Sequence, residues 1–446
     1  MQTARAKLME TRPVTPDFHF FESGGPHLLI PDESRIYGIS QKMKRELKKL
    51  VDKNEKILID QWLLDHDIHS RQKIDDSPVS DPPLTAISLA IAQKCNLGCT
   101  YCYAQQGDFG TKPKNMPLEK AIQAVDLLFD QNSGSHSLNI AFLGGEPLAN
   151  RPALQDVTRY AYHKAITESK TVHFSITTNG TLLNSHDADF FEQYGFAVTV
   201  SLDGVAGTHD KLRPFKGGRG SYDRIIENLR PLLSIQHRMQ VSARVTVTPS
   251  NLDIKKTLDE LIGLGFHSVG FSPMLSSPTG ENEMDAASIE CMLKNMISCG
   301  EQFEIAIKEG TRYPFSNMTT ALREIHRGTH RPYPCGAGAG YLGVSALGEL
   351  AACHRFVNDD QGYFGNLEKG IDPEKQRSWL TERHVHRQEP CKSCWARYLC
   401  GGGCHHEVIH RGRPACDYIR GWLHYVLQAY VRLQQVRPDY FSTILV

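Results

Sequence analysis

The sequence predicts an α/β protein whose largest part is an open, partial (β/α)6 barrel, flanked by a small α+β region and a cysteine-rich region. Three observations lead to this prediction. Between residues 84 and 275, short apolar segments alternate with amphipathic ones, whereas the first 80 residues have a different pattern. From about residue 331 to 420 the chain is rich in Gly and Cys and has little periodicity. Strict alternation of strand and helix produces parallel strands joined by right-handed crossovers.

Six strand–helix units suit an open barrel better than a closed barrel of eight. The predicted strands are Leu84–Ala92, Ser137–Leu143, Val172–Thr177, Ala197–Leu202, Val241–Val247 and Ser268–Met274. The predicted helices are Leu118–Gln131, Leu154–Thr167, His186–Tyr194, Ser221–Leu233 and Leu252–Leu264. In barrels of parallel strands the chemistry gathers at the carboxyl ends of the strands, so we expect the functional residues there.

The remaining patterns divide the chain into four segments. Residues 1–80 hold three predicted strands and two helices: Phe18–Phe21, His27–Pro31, Arg35–Ile39, Gln41–Val51 and Glu55–Asp65. The proline-rich stretch Asp75–Pro83 predicts a linker. The barrel then takes residues 84–290, a bridging segment takes 291–331, and the cysteine-rich domain takes 332–446. Apolar spacing predicts a helix over Asp417–Gln435 in that last domain.

Composition and charge exclude several classes of function. The 50 basic and 50 acidic side chains balance, so no overall field recruits nucleic acid or an anionic membrane. No apolar run has the length of a membrane span, and Met1–Arg12 lacks the apolar stretch of a signal peptide. We therefore expect a cytoplasmic protein without nucleic-acid or membrane partners. In that reducing compartment, clustered cysteines are more often metal ligands or catalytic groups than disulfides.

Ten of the twelve cysteines fall into two groups, and the first group follows the first barrel strand. Its spacing is Cys95-x3-Cys99-x2-Cys102. Three thiolates on one loop can bind three irons of a [4Fe–4S] cluster and leave the fourth iron open. A zinc knuckle is the alternative, although structural zinc sites usually take four ligands in paired spacing. Glycine-containing turns, which let the backbone approach a ligand closely, recur at later strand ends: Gly144–Pro147, Thr178–Gly180 and Ser201–Gly204.

The second cysteine group spans the C-terminal region: Cys335, Cys353, Cys391, Cys394, Cys400, Cys404 and Cys416. The pairs Cys391-x2-Cys394 and Cys400-x3-Cys404 would also fit one tetrahedral zinc site. That interpretation leaves the other three cysteines of the group without a role. A set of metal clusters therefore explains the region better.

One motif in this region points to another class of enzyme. His406-Glu407-x-x-His410 matches the signature of zinc metalloproteases, which need both histidines one helical turn apart and the glutamate as a base. The motif lies between Cys404 and Cys416, and the preceding Gly401–Gly403 is a poor start for a helix. We interpret it as a chance match, which leaves zinc metalloprotease activity as a disfavoured alternative.

The first cysteine group and its context resemble the radical S-adenosylmethionine (SAM) superfamily. Cys95-Asn-Leu-Gly-Cys99-Thr-Tyr-Cys102-Tyr and Gly144-Gly145-Glu146-Pro147 are similar to its two main motifs. The resemblance implies that the open iron chelates SAM and that reductive cleavage yields methionine and a 5′-deoxyadenosyl radical. It also implies cofactor contacts as follows: the methionine amino group at Gly144, Gly145 and Glu146, the adenine near Tyr101, the ribose near Ser201, and the SAM carboxylate near Arg213.

The second cysteine group resembles the SPASM domain of enzymes that modify peptides and proteins. That resemblance implies two auxiliary clusters, hence three [4Fe–4S] clusters in all. One auxiliary set would be Cys335, Cys353 and Cys404; the other would be Cys391, Cys394, Cys400 and Cys416. Gly336–Ala352 lacks the extra cysteine of some relatives, so the first auxiliary cluster has an open iron or a borrowed ligand. The implied partners are a peptide or small protein substrate and an electron donor such as flavodoxin or ferredoxin.

Two peptide chemistries compete. Cys394–His405 and Pro214–Asp223 are most similar to the thioether-forming quinohemoprotein amine dehydrogenase maturation protein family, which joins cysteine sulfur to side-chain carbons of Asp or Glu. The alternative is the sulfatase-maturase family, which oxidises a cysteine or serine to formylglycine. Those enzymes carry aspartate directly after the cysteine that is Cys353 here, whereas this chain has His354. His354 and Asp203 are our candidates for the general base.

The predicted strands and helices of residues 1–80 resemble the winged-helix peptide-recognition domains fused to peptide maturases. Such a domain would bind the leader segment of a substrate as an added strand. An ordinary structural extension is the alternative.

Overall fold

A three-stranded antiparallel sheet and two helices begin the structure, a computed structural model that describes residues 18–68, 77–132 and 134–443. The elements are β1 (His19–Glu22), β2 (Pro26–Ile30), β3 (Arg35–Gly38), α1 (Gln41–Asp52) and α2 (Lys56–Asp65). Apolar side chains from both layers, among them Leu28, Leu47 and Trp62, form a small core of their own. All five elements agree with the sequence prediction within two residues. Met1–Arg12 and the first two residues of the predicted linker lie outside the described residues.

The central sheet confirms the partial (β/α)6 barrel. Its strands are β4 (Ala86–Gln93), β5 (Lys114–Asn115), β6 (Ser137–Gly144), β7 (Thr171–Thr178), β8 (Ala197–Ser201), β9 (Gln240–Val247) and β10 (Ser268–Pro273). Six of them are parallel in the order β10-β9-β8-β7-β6-β4, and the short β5 pairs antiparallel with the end of β4. The surrounding helices are α3 (Leu118–Asp130), α4 (Arg151–Thr167), α5 (Ser185–Tyr194), α6 (Ala206–Leu212), α7 (Tyr222–Ser234) and α8 (Ile254–Gly263). Among these strands and helices, the short β5 and α6 have no counterpart in the sequence prediction.

Side-chain alternation along β9 shows how the sheet divides core from lumen. Val241, Val245 and Val247 are buried against the helices. The residues between them, including Arg244 and Thr246, are exposed or partly exposed on the opposite face, which is the lumen of the barrel. This period of two is the pattern of a strand with one buried face. It places Arg244 inside the barrel.

The C-terminal part is more regular than its sequence suggested. Two helices, α9 (Ala286–Lys308) and α10 (Ser316–His326), occupy the bridging segment, and α9 begins before the predicted boundary at residue 291. Four short strands then extend the barrel sheet: β11 (Tyr341–Val344), β12 (Glu349–Ala351), β13 (Tyr363–Asn366) and β14 (Gly370–Ile371). β11 pairs parallel with β4, so the cysteine-rich region begins beside the strand that leads to Cys95.

The last helices are α11 (Pro373–Arg383), α12 (Arg397–Cys400), α13 (His405–Arg411), α14 (Cys416–Val436) and α15 (Pro438–Thr443). The predicted helix over Asp417–Gln435 corresponds to α14. α14 packs on α9 and α10, and the buried Glu304 of α9 binds Arg432 of α14 at 2.7 Å. None of the helices in the described ranges combines the length and apolar character needed to cross a membrane.

The N-terminal sheet is attached to the cysteine-rich region. The His19 ring stacks on Trp395 with centroids 3.6 Å apart, and Asp32 accepts a hydrogen bond from the buried Arg397 at 2.6 Å. Trp395 directly follows Cys394 in the chain. A ligand on the N-terminal sheet would therefore lie next to the second cysteine group.

Candidate active site

The loop after β4 brings Cys95, Cys99 and Cys102 together at the carboxyl end of the strand. Burial raises the pKa of Cys95 and of Cys99 to about 11, and the negative charge of neighbouring thiolates adds to this effect. These thiols therefore hold their protons until a cation replaces them. The loop is closely packed, because a Cβ atom on Gly107 would lie 2.6 Å from the Cβ atom of Cys95. Gly107 was missed by the sequence prediction.

A buried charged cluster lies beside these thiols. The Nη1 atom of Arg213 donates to the Tyr101 hydroxyl at 2.7 Å and lies 3.7 Å from Oδ2 of Asp203. The Tyr101 hydroxyl in turn donates to Asp203. Although burial opposes its charge, the charges of Cys99, Tyr101 and Asp203 raise the pKa of Arg213, which stays cationic. Three residues predicted from separate motifs are thus in one cluster.

The same cluster fits the predicted cofactors. The Nε atom of Arg213 is buried and has no hydrogen-bond partner in the described part of the chain. An unpaired guanidinium N–H beside three free thiols is suited to the carboxylate of a SAM molecule bound at the open iron of a cluster. Tyr101 is 5% exposed and could line the adenine side, and Ser201 ends β8 nearby, partly buried.

The Gly-Gly-Glu-Pro turn joins the ends of three strands. A Cβ atom on Gly144 or Gly145 would collide with the backbone oxygens of Ala92 and Lys94. The carboxylate of Glu146 is fully buried and accepts hydrogen bonds from the Asn179 backbone N–H and the Thr178 hydroxyl, both at 2.7 Å. Glu146 therefore fixes the turn between β6 and β7. Because the Glu146 side chain is occupied by these hydrogen bonds, the backbone of the motif is the part that can contact SAM.

A second layer of residues, which the sequence prediction missed, positions Arg213. The backbone N–H of Asp203 donates to Nδ1 of His209 at 3.2 Å, so the proton of this neutral imidazole is on Nε2. Nε2 then donates to Ser221 Oγ at 3.0 Å, and the Ser221 hydroxyl donates to the Arg213 carbonyl at 2.6 Å. His209 and Ser221 are both fully buried. In the sequence, only their position after the strand β8 could have suggested a functional role.

Asn179 also contacts the cysteine loop. Its side-chain amide donates to the Cys95 sulfur at 3.5 Å and to the Asn96 side chain at 3.0 Å. The Thr-Asn-Gly turn at the end of β7 therefore contacts the first cysteine of the loop directly.

The second cysteine group forms two adjoining sets in space. Burial raises the pKa of Cys335 and of Cys353; the charge of Cys404 adds to both shifts, and that of Cys335 adds to the shift of Cys353. Burial, followed by the charges of neighbouring cysteines, raises the pKa of Cys391 and of Cys400, and Cys391, Cys394, Cys400 and Cys416 line one cavity that Cys404 also borders. These are the two sets implied by the SPASM resemblance, and their occupation by clusters stays a prediction.

Arg355 connects the first of these sets with the radical-site loop. Its Nη1 atom lies 3.6 Å from the Cys404 sulfur and donates to Glu407 at 2.7 Å. Its guanidinium lies over the Tyr103 ring, 5.4 Å from the centroid, and Tyr103 follows Cys102. The Nε atom of Arg355 is buried without a hydrogen-bond partner in the described residues. A positive group of this kind would stabilise thiolates or an anionic cluster.

The two candidate bases differ in their surroundings. His354 is next to Cys353, and its Nδ1 atom lies 3.0 Å from the Tyr341 hydroxyl. Burial lowers the pKa of His354 to about 4, so its imidazole is neutral at pH 7. Asp203 is fully buried and holds the Thr246 backbone N–H at 2.9 Å in addition to Tyr101. The structure thus gives Asp203 a supporting position under Arg213, and His354 remains the candidate nearer the second cysteine group.

Comparison with known proteins agrees with this geometry. The radical SAM superfamily profile matches residues 89–261. The cysteine-type anaerobic sulfatase-maturating enzyme of Clostridium novyi (strain NT) is 30% identical over 338 residues, which cover 70% of this chain and 85% of that enzyme. The fold is also that of native anSMEcpe with bound AdoMet and Cp18Cys peptide, with a TM-score of 0.65, 20% identity, and coverage of 80% of this chain and 100% of the other.

A further structure of the same fold is Streptococcus suis SuiB bound to its precursor peptide SuiA. It has a TM-score of 0.52 and 16% identity, and covers 90% of this chain and 98% of SuiB.

The superfamily match and the cysteine loop together define a radical SAM enzyme, the class that combines SAM with a [4Fe–4S] cluster. Within that class the chain belongs to the family that includes the anaerobic sulfatase-maturating enzymes. The predicted superfamily, fold and enzyme class are confirmed. The finer resemblance needs correction, because the named relative is a sulfatase maturase rather than a quinohemoprotein amine dehydrogenase maturation protein.

Proposed function

We propose that this enzyme is a maturase that oxidises a side chain of a peptide or small protein. When bound, SAM and the radical-site cluster supply a 5′-deoxyadenosyl radical that abstracts hydrogen from the substrate, and the auxiliary clusters accept the surplus electron. One observation carries the proposal. Arg355 lies against both the Cys404 thiol and the ring of Tyr103, so the radical-forming loop and an electron-accepting thiol set face the same space.

In this proposal, the residues of the chain have three roles: they bind SAM, support the SAM-binding arginine and hold the clusters. Arg213 and the backbone at Gly144 and Gly145 hold and orient SAM. His209 and Ser221 hold Arg213 in place. The cysteines of the three sets hold three clusters, and Arg355 stabilises the anionic thiol set that contains Cys404.

The relatives favour oxidation of a cysteine or serine to formylglycine as the reaction. The family includes sulfatase-maturating enzymes, and a structural neighbour binds AdoMet together with a peptide. His354 stands at the position where that family carries an aspartate. Its imidazole is neutral, and its Nδ1 atom is engaged with the Tyr341 hydroxyl. Because burial lowers its pKa to about 4, His354 offers a substrate hydroxyl or thiol a hydrogen-bond partner and only a weak base.

A second candidate is thioether formation at a carbon beside a carboxylate, and Arg244 favours it. Arg244 faces the lumen and pairs in register with Ser201 on the neighbouring strand β8. Its recorded side-chain partner is the neutral Ser272 hydroxyl, and no carboxylate of the described residues pairs with it. Desolvation by the surrounding protein lowers its pKa, while its side chain stays open to the lumen. The backbone of Arg244 lies one strand spacing, about 4.8 Å, from that of Ser201, the predicted ribose contact.

The substrate also requires a recognition site for its leader segment, which we assign to the N-terminal sheet. β3 lies at an end of the three-stranded sheet, and within the described ranges no other strand pairs with its outer side, as an added strand requires. SuiB, whose structure contains its precursor peptide, covers the largest share of this chain among the proteins compared above.

The proposal is tested by anaerobic incubation with SAM, a reductant and a small cysteine-containing protein encoded beside the enzyme, with and without its leader. Formylglycine appears as an aldehyde that reacts with hydroxylamine. A thioether appears as the loss of two hydrogens and one free thiol without an aldehyde. Cleavage of SAM with no change in any offered peptide would contradict the proposed maturase function.

Substitution of Arg244 separates the two candidates. For thioether formation beside a carboxylate, Arg244→Gln removes a charged hydrogen bond worth about 1.5–3 kcal/mol, so peptide modification should fall by about 10- to 100-fold. Arg244→Lys should recover part of this loss because it keeps the charge. SAM cleavage without peptide should be unchanged. The matched control is Arg159→Gln, an exposed arginine on α4. Equal modification rates in the Arg244→Gln variant and the control would contradict a carboxylate at this site.

A further inference from the structure

The metalloprotease-like motif forms a helix, contrary to our interpretation of the sequence. Gly401, Gly402 and Gly403 all have positive φ and form the turn before it, so the helix α13 starts after Cys404 and is not hindered by them. His406 and His410 lie one helical turn apart, with ring centroids separated by 4.5 Å. The two imidazoles are therefore placed side by side, as the motif requires.

The glutamate of the motif has a different role from that in a protease. Glu407 forms an ion pair with Arg355 at 2.7 Å. This ion pair directs the carboxylate toward Arg355, whereas a protease needs it aimed at a metal-bound water. The structure therefore gives no support to zinc-dependent proteolysis.

A third ligand comes from a distant part of the chain. Oδ2 of Asp359 lies 2.8 Å from Nε2 of His410, and one ligand atom from each of Asp359, His406 and His410 lies within 4.8 Å of the other two. Nδ1 of His406 is buried and has no hydrogen-bond partner in the described residues. An unpaired buried nitrogen costs about 1–3 kcal/mol, and a metal bound at this Nδ1 atom would offset that cost.

We propose that Asp359, His406 and His410 bind one divalent zinc ion, separate from the iron–sulfur sites. Two imidazoles and one carboxylate, with water in the fourth position, are a ligand set of tetrahedral zinc. Such ligands lie about 3.3 Å apart around the metal, so the His406 ring need move by less than about 1.5 Å. The net charge of the three ligands is −1, which suits a divalent cation because Glu407 and Arg355 nearby neutralise each other.

The site has a structural consequence for the first auxiliary set. Asp359 follows Cys353 by six residues, and α13 begins directly after Cys404. Zinc at this position would join the two segments that carry these cysteines. Its presence does not depend on which peptide chemistry the enzyme performs.

The test uses the full-length enzyme with its iron–sulfur sites filled under anaerobic conditions. The protein is treated with a chelator, incubated with Zn²⁺ alone and freed of excess metal, after which zinc, iron and sulfide are measured. We expect one zinc per chain in the wild type and at least about tenfold weaker binding in His410→Ala and Asp359→Asn. Glu407→Gln should keep the zinc, since Glu407 is not a ligand. His163→Ala, on α4, is the matched control.

X-ray absorption at the zinc edge distinguishes this site from zinc in a cysteine site. Imidazole and oxygen ligation, with iron and sulfide equal in all variants, supports the proposal. Sulfur ligation overturns it, as does a zinc content that is unchanged by both ligand substitutions. Absence of retained zinc in a wild-type protein with filled clusters also overturns it.

Discussion

Cys99→Ala abolishes reductive cleavage of SAM while the second cysteine group keeps its iron. Cys99 is the middle ligand of the radical-site loop, and its loss leaves two thiols for three irons. We expect formation of 5′-deoxyadenosine to fall by at least about a hundredfold. This effect should be larger than that of removing a residue that only supports a metal ligand. Iron content should fall from about twelve to about eight atoms per chain if three [4Fe–4S] clusters are present.

The matched control for this variant is Cys291→Ala. Cys291 is partly buried on α9 and belongs to neither cysteine group. Its replacement should leave SAM cleavage and iron content unchanged. SAM cleavage that persists in Cys99→Ala would show that this loop does not hold the radical-site cluster.

Arg213→Ala has the second large expected effect, and it acts on both stability and cofactor binding. Removal of the guanidinium leaves the fully buried Asp203 without its cation, which costs about 3–5 kcal/mol in the free energy of unfolding. The loss in the free energy of unfolding should become smaller as the pH falls. Burial already raises the pKa of Asp203, and its protonation removes the unpaired charge. Chemical denaturation measured over a range of pH checks this.

A double variant separates the two effects of Arg213. Arg213→Gln combined with Asp203→Asn removes both charges, so most of the stability should return. SAM binding should remain at least about tenfold weaker than in the wild type, because the guanidinium that pairs with the SAM carboxylate is still missing. Full recovery of SAM binding in the double variant would show that Arg213 supports only the fold.

The barrel could be predicted because its signals are local. β9 alternates apolar and polar residues in the printed sequence, and the apolar positions are the buried ones. The cysteine loops have short spacings that imply metal binding without knowledge of the fold. α14 likewise has its apolar face in consecutive turns, and its predicted bounds are correct within one residue at each end.

Features that depend on distant pairing could not be predicted in this way. β11 has four residues, and its partner β4 lies about 250 residues earlier, so no periodic signal identifies it. Asp359 is 51 residues from His410, which is why the sequence showed two histidines without their third ligand. The alternation along β9 places Arg244 on the lumenal face, but its position beside Ser201 follows only from the strand register. The glycines before α13 suggested a poor start for a helix, whereas they form the turn that precedes it.

Hydrogen transfer from substrate to cofactor tests the central claim most directly. The substrate protein is prepared with deuterium on its side-chain carbons and incubated anaerobically with the enzyme, SAM and a reductant. We predict that 5′-deoxyadenosine gains one deuterium per molecule and accumulates one-to-one with modified peptide. Unlabelled 5′-deoxyadenosine, formed while the peptide stays unchanged, would contradict the assignment of this protein as a peptide-modifying radical SAM enzyme.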